Sequence, residues 1–454
     1  MPPIADINDD LARAFVQLKP LRNGPPRDEV EKHQRARLHA AMIELVAARG
    51  YAKTSVDQIS LRAGVSKRTL YNQFKSKEAF FLQTYGLVIR RAIRRVNDAY
   101  RAETEWTCQI SRGSEVFIAY VVEQPQAARF ALVEALGAGP KAVNAMATTS
   151  SVFERLIGSS FEAAPEKARV SPLVLKGIVG GVSRVVRQRL LDDCAEELPE
   201  HADELLGWML AHHTNAAAGL PRASMVRASK QPARLAWDRP IESIEDEAER
   251  MLSSAVRLAA RYGYAELTAD AIVDHAGVSR AAFNDAFPGG VEDCFMLAYD
   301  RMGGEVAAYA AEAASQAQEW DRAVFATLTA LLWRIADDPV FTRVAFVEVF
   351  SVGPASLLCR ARLMQSFSDL LLQRSPVDER PSELVAEAIV GAVWELVHHY
   401  VVRGAARRLP ELAYLAAYLV LVPTLGGERA IESLRCLAGR PAVASIEPRG
   451  RPAS

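Results

Sequence analysis

Apolar residues recur three and four positions apart over most of this chain, the spacing of one helix face, and alternating strand-like runs are scarce. Leu38, Met42, Leu45 and Val46 define one such face, and Gly50-Tyr51 ends it in the manner of a glycine C-cap. Ser55 then occupies an N-cap position, and Val56, Ile59 and Ala63 supply the buried side of a short second helix. Gly64 makes a turn, Val65 plugs it, and Ser66 caps a third helix to about Phe74, with Leu70 and Phe74 inward. The pattern predicts an all-α protein whose first module is a helix-turn-helix, two short helices joined by a glycine-containing turn.

The same pattern returns later. Residues 47–74 (AARGYAKTSVDQISLRAGVSKRTLYNQF) and 260–287 (ARYGYAELTADAIVDHAGVSRAAFNDAF) share 11 of 28 positions at a constant shift of 213. RFALVEALGAGP at 129–140 is answered by RVAFVEVFSVGP at 343–354, Ile178-Val179-Gly180 by Ile389-Val390-Gly391, and Leu198-Pro199 by Leu409-Pro410. Matching in this order identifies a duplicated unit of about two hundred residues. It suits a length of 454 residues, too great for a single core.

The third helix leaves Lys67, Arg68, Thr69, Asn72 and Gln73 pointing out. Those side chains suit base edges in a major groove: Arg or Lys for guanine, Asn or Gln for adenine, Thr for phosphate or a thymine methyl. Ser76 caps a fourth helix and puts Lys77 in its first turn, where an ammonium and backbone N–H groups can meet one phosphate.

The run TSVDQISLRAGVSKRTLYNQFKSKEAFF, with its Ala-Gly-Val-Ser turn, Tyr71, Phe74 and Lys77, resembles the DNA-binding signature of the tetracycline-repressor (TetR) family. The resemblance implies two tandem TetR-like units, each a three-helix head followed by a helical ligand-binding and dimerisation domain. It also implies phosphate contacts from Ser55, Tyr71 and Lys77 and base contacts from Lys67, Arg68, Thr69 and Asn72. The implied partners are a double-stranded DNA operator and a small-molecule effector, and the implied activity is ligand-responsive repression of transcription. In this family the last helices of each unit pair as a four-helix bundle, so two copies in one chain are expected to form an intrachain pseudo-dimer, with a conventional homodimer as the alternative. Gly180-Gly181 and Gly391-Ala392 occupy matching positions there, where small residues let helix axes approach closely.

The second copy keeps the fold pattern and changes its surface. Ser279 still caps, and Ile272, Val278, Phe283 and Phe287 still fill the core. Arg68, Thr69, Tyr71 and Asn72, however, are answered by Ala281, Ala282, Asn284 and Asp285, and Pro288-Gly289-Gly290-Val291 replaces the Lys-Ser-Lys segment. Over 32–95 there are 14 Lys/Arg against 3 Asp/Glu, a net of +11; over 246–309 there are 5 against 11, a net of −6. DNA attracts the first head and repels the second. Arg90, Arg91, Arg94 and Arg95 extend the basic side of the fourth helix.

These readings divide the chain into a tail (1–30), a first head (31–80), a first regulatory domain (81–218) and a linker (219–244). A second, degenerate head (245–295), a second regulatory domain (296–436) and a tail (437–454) follow. Tyr85, Trp106, Phe117, Tyr120 and Phe130 in the first body, with Trp320, Phe325, Trp333, Phe341 and Phe346 in the second, are candidate pocket or core aromatics. Two long apolar helices are predicted near the end of each unit, about 172–191 with 201–217 and 382–403 with 410–422. Leu412–Val422 is too short an apolar run for a bilayer, and with scattered cysteines and no signal-like start a cytoplasmic protein is expected. The adjacent pairs His212-His213 and His398-His399 point different ways on a helix and suit structural roles better than a metal site. No phosphate-binding glycine loop, H-E-x-x-H or G-x-S-x-G is present, so neither an enzyme nor a cofactor is expected. The rival classes are a DNA-independent interaction or ligand-binding module and a non-specific architectural DNA binder, which the ratio of specific to non-specific affinity distinguishes.

Overall fold

The computed structural model describes residues 27–165, 170–213, 219–221 and 239–438, and all regular structure among them is helical. The proposed tails and linker fall largely on 1–26, 222–238 and 439–454, outside the described residues. Packing divides the chain into two units. One holds 27–153 with 186–202; the other holds the described residues of 154–185 and 203–438. The division therefore differs from the repeat boundary, because parts of the first repeat's last helices belong to the second packing unit.

In the first unit, α1 (Arg27–Arg49), α2 (Val56–Ala63) and α3 (Lys67–Gln73) make the head, and α4 (Lys77–Ala102) leads into the body. Glycine at 50 adopts φ 82°, a conformation unfavourable for other residues, and stops α1. Leu38, Met42, Ile59, Leu70, Phe74 and Phe80 converge in one fully buried core. Phe74 stacks on Phe80 with ring centroids 4.0 Å apart. Beside them the buried His39 shares a 2.8 Å hydrogen bond with the Thr84 hydroxyl, fastening α1 to α4. Burial pushes that imidazole down to about 3, so it is neutral at pH 7. The body continues through α5 (Trp106–Glu123), α6 (Pro125–Leu132) and the start of α7 (Pro140–Ala163).

The second unit takes in most of α8 (Pro172–Leu191) and α9 (Ala202–Leu210). Its own head is α10 (Glu247–Tyr262), α11 (Ala269–Ala276) and α12 (Arg280–Ala286). α13 (Val291–Ser315), α14 (Trp320–Asp337), α15 (Pro339–Phe346) and α16 (Pro354–Arg374) follow, then α17 (Glu383–Val401), α18 (Ala413–Leu425) and α19 (Gly427–Ala438). α9 ends well short of the predicted 217. The His212 ring donates to the Trp208 carbonyl at 2.9 Å and its amide turns back to Met209, closing the helix. Residues 214–217 lie outside the described residues.

The helical run 406–425 is longer than the apolar segment 412–422 suggests. It and α17 are both long and apolar enough to cross a membrane by length and composition. Two-thirds of the first window and half of the second are buried inside the fold, as core helices require.

Candidate nucleic-acid interface

The reading head is assembled by caps. Ser55 accepts from the Gln58 amide while the Gln58 side chain accepts from the Ser55 amide, a complete capping box that starts α2. Gly64 takes the left-handed conformation at φ 62°, and Val65 plugs the core behind it. Ser66 accepts from the Thr69 amide at 3.1 Å and starts α3.

The third helix then presents Lys67, Arg68, Tyr71 and Asn72 to solvent. Tyr71 is 53% exposed, unusual for so large a ring and suited to lying along a phosphate backbone. Arg68 and Asn72 make no ion pair or side-chain hydrogen bond among the described residues. Lys67 is ion-paired with Asp57. Thr69 and Gln73 point outward less than expected: both are half-buried, and the Thr69 hydroxyl is 2.9 Å from that of Ser66. Ser55 uses its oxygen as an acceptor, leaving its proton to donate.

Lys77 occupies a different setting from the one its sequence position suggests. Its ammonium donates to the Tyr51 carbonyl at 2.6 Å and lies 4.0 Å over the Tyr51 ring. Burial lowers its pKa. Of the four arginines clustered at 90–95 on α4, Arg95 forms a bidentate pair with Glu123 and Arg91 is half-buried, which leaves Arg90 and Arg94 as the exposed ones of that cluster.

The second head repeats the geometry without the chemistry. Thr268 caps α11, Gly277 turns at φ 64°, Ser279 caps α12, and Ile272, Phe283 and Phe287 are buried. Arg280, the one cation on α12, is paired with Asp270, as Lys67 is with Asp57 in the first head. Around it stand Ala281, Ala282, Asn284 and Asp285.

Two matched glutamates, which sequence reasoning left unused, behave differently in the two copies. Glu348 accepts from the Tyr264 amide at 2.8 Å and from Arg343 at 2.6 Å, tying the second head to its body. Glu134 is equally buried, yet its nearest basic atom is Arg129 Nε at 3.6 Å, and its Oε1 accepts no hydrogen bond. Burial pushes its carboxyl up to about 7. The repeated Val-Glu inside an apolar run was the available signal.

A second candidate site is an apolar cavity of about 140 Å³ within α13–α18, bordered by Trp320, Leu328, Phe346, Ile389, Trp394 and Val420 among others. Trp320, Phe341 and Phe346 were candidate aromatics; Phe325 and Trp333 do not line it. The indole N–H groups of Trp320 and Trp394 are buried without an acceptor.

Two capped helix-turn-helix heads carrying contrasting charge define a tandem helix-turn-helix protein. Residues 38–84 and 251–289 each match the family described as bacterial regulatory proteins, tetR family. The chain is 32% identical over 107 residues to the HTH-type transcriptional activator FasR of Mycolicibacterium smegmatis, across 24% of this chain and 47% of the relative. The chain thus spans about half the length of that curated relative. Among solved structures, FadR from Bacillus subtilis in complex with stearoyl-CoA aligns with 16% identity and a TM-score of 0.36, over 38% of this chain and 96% of that one. A TetR-like regulator from Rhodococcus sp. RHA1 aligns with 20% identity and a TM-score of 0.35, over 41% and 98%. The chain thus carries the TetR-family DNA-binding module twice, at two separate places.

Proposed function

We propose that this chain is a DNA-reading transcription regulator that binds its operator through the first head alone and responds to an apolar small molecule held in the second body. The observation carrying the reading is the contrast on the two third helices. Lys67, Arg68, Tyr71 and Asn72 are exposed on one, while alanines, Asn284 and Asp285 stand on the other. The base-contact set is Lys67, Arg68, Thr69 and Asn72, and the phosphate set is Ser55, Tyr71 and Lys77. Lys77 clamps Tyr51 as well as meeting phosphate.

The cavity supports the effector half of the reading. Its size is close to that of an apolar cavity that stays dry and binds benzene, and its almost wholly apolar lining favours an apolar ligand. By analogy with the family name, the regulator is proposed to repress, although FasR is named an activator. A reporter driven by the selected operator distinguishes the two: repression predicts higher expression when the first head is disabled, activation lower.

Selection of duplexes from a random pool with the full chain tests the central reading. One enriched sequence is expected, and Arg68→Ala is expected to lose discrimination at one position by about 1–3 kcal/mol. Failure to bind any duplex would leave a DNA-independent interaction module, and binding without enrichment a non-specific architectural binder.

A further inference from the structure

The seam inside the second unit joins helices from both sequence repeats. α8 and α17 are matched in the duplication at a shift of 211, with Gly180 answering Gly391, Gly177 answering Ala388 and Gly181 answering Ala392. Their contacts obey the same correspondence in both directions. A side-chain carbon at Gly391 would collide with the stem of Arg184, and one at Gly180 with the stem of Glu395. One at Gly181 would lie 2.6 Å from the Ala388 carbonyl, and one at Gly177 3.5 Å from Ala392 Cβ. Gly180 and Gly391 face each other at the middle, 3.3 Å from an added carbon to the opposite carbonyl. The two helices therefore cross about a local twofold relation, with each long charged side chain lying over the other helix's glycine.

Charge breaks that twofold. Lys176 and Arg184 on the first helix are answered by Glu387 and Glu395 on the second. Arg184 is 1% exposed and Glu387 6% exposed, and they are ion-paired at 3.9 Å. Arg184 also donates to the Ala361 carbonyl at 3.5 Å, and Lys176 pairs with Glu154 at 2.6 Å. If two first-repeat helices met by the same crossing, Lys176 of each would stand where Glu387 stands now, against Arg184 of the other. Two second-repeat helices would set Glu387 against Glu395. The first pairing strips the buried Arg184 of its carboxylate, since Lys176 keeps Glu154, and the second sets two carboxylates together; unpaired charge in such a seam costs far more than at a surface.

We infer that this charge reversal makes the seam selective: the α8 face fits α17 of the second repeat and rejects a second copy of itself, so the repeats pair with each other and not with like repeats. Duplication supplied a self-complementary helix face, and opposite charges at the two matched positions converted it into a heterotypic one. One DNA-reading head then accompanies each closed seam.

Charge swaps in the full chain test this inference. Glu387→Lys with Glu395→Arg gives both helices the same sign. Adding Lys176→Glu with Arg184→Glu restores opposition with the signs exchanged. The folding equilibrium constant from urea unfolding is expected to fall at least tenfold in the first variant, and the second is expected to recover at least half of that loss on a logarithmic scale. A first variant within threefold of the parent, or a second no more stable than the first, overturns the inference. An unfolded first variant with a folded second supports it, and two unfolded variants count against it.

Discussion

Lys77 holds the carbonyl oxygen of Tyr51 at 2.6 Å while its ammonium lies over the same residue's ring at 4.0 Å. The contact joins the first turn of α4 to the link between α1 and α2, so the residue proposed to meet phosphate also fixes the entry to the first head. Lys77→Ala is expected to cost about 1 kcal/mol of stability, the scale of one hydrogen bond to a charged group in a half-buried setting. It is also expected to weaken binding to all DNA sequences alike, lowering the salt slope by about one. Urea unfolding and binding at several salt concentrations separate the roles. Lost stability with an unchanged slope would mean a clamp only.

The matched glutamates give opposite expectations. Glu134 has its carboxyl raised to about 7 from an ordinary 4.5 by burial. A raised acid favours the folded state below its unfolded value, and that advantage is lost as pH rises through the folded one. Glu134→Gln removes this loss. The variant is expected to exceed the parent at pH 8 by about 1–3 kcal/mol and to gain little at pH 5. Glu348 instead accepts two hydrogen bonds. Glu348→Ala leaves the Tyr264 amide without its acceptor, while the exposed Arg343 returns to water, and is expected to cost about 1–3 kcal/mol at either pH. Parallel pH series of thermal unfolding check both, and equal behaviour of the two sites would refute the asymmetry.

Filling the cavity is expected to abolish effector response while leaving DNA binding intact. Val393 lines the space, and Val393→Phe adds a ring to it. Tryptophan fluorescence titrated with benzene reports occupancy through Trp320 and Trp394, which border the cavity. The parent signal is expected to saturate and the variant signal to stay flat. A saturating response in the variant would place the probe elsewhere.

Much of this molecule was legible because helix caps and turns are local. Ser55, Gly64 and Ser66 each act within three or four residues, and the structure uses them as the sequence implied. The duplication made the second head predictable from the first. The Lys77 clamp was hidden because its partner is the carbonyl of Tyr51, 26 residues away, and carbonyls leave no mark in a sequence. Glu134 and Glu348 were overlooked because a carboxylate in an apolar run signals neither its burial nor its partner. The end of α9 was misplaced for a similar reason. Apolar periodicity continues past Leu210, whereas His212 turns its ring onto the Trp208 carbonyl.

The central claim is that the first head reads DNA and the second does not, and the two heads contain their own control. Lys67 with Asp57 and Arg280 with Asp270 are the same ion pair at matched positions, so truncating either cation removes the same local contact. Any difference in operator affinity then belongs to DNA. Equilibrium binding of Lys67→Ala and Arg280→Ala to the selected operator, at one fixed salt concentration, measures it. Lys67→Ala is expected to lose about 1 kcal/mol or more, as a removed charge contact should. Arg280→Ala is expected to stay within about 0.5 kcal/mol of the parent. Equal losses would contradict the account and put the second head on the DNA.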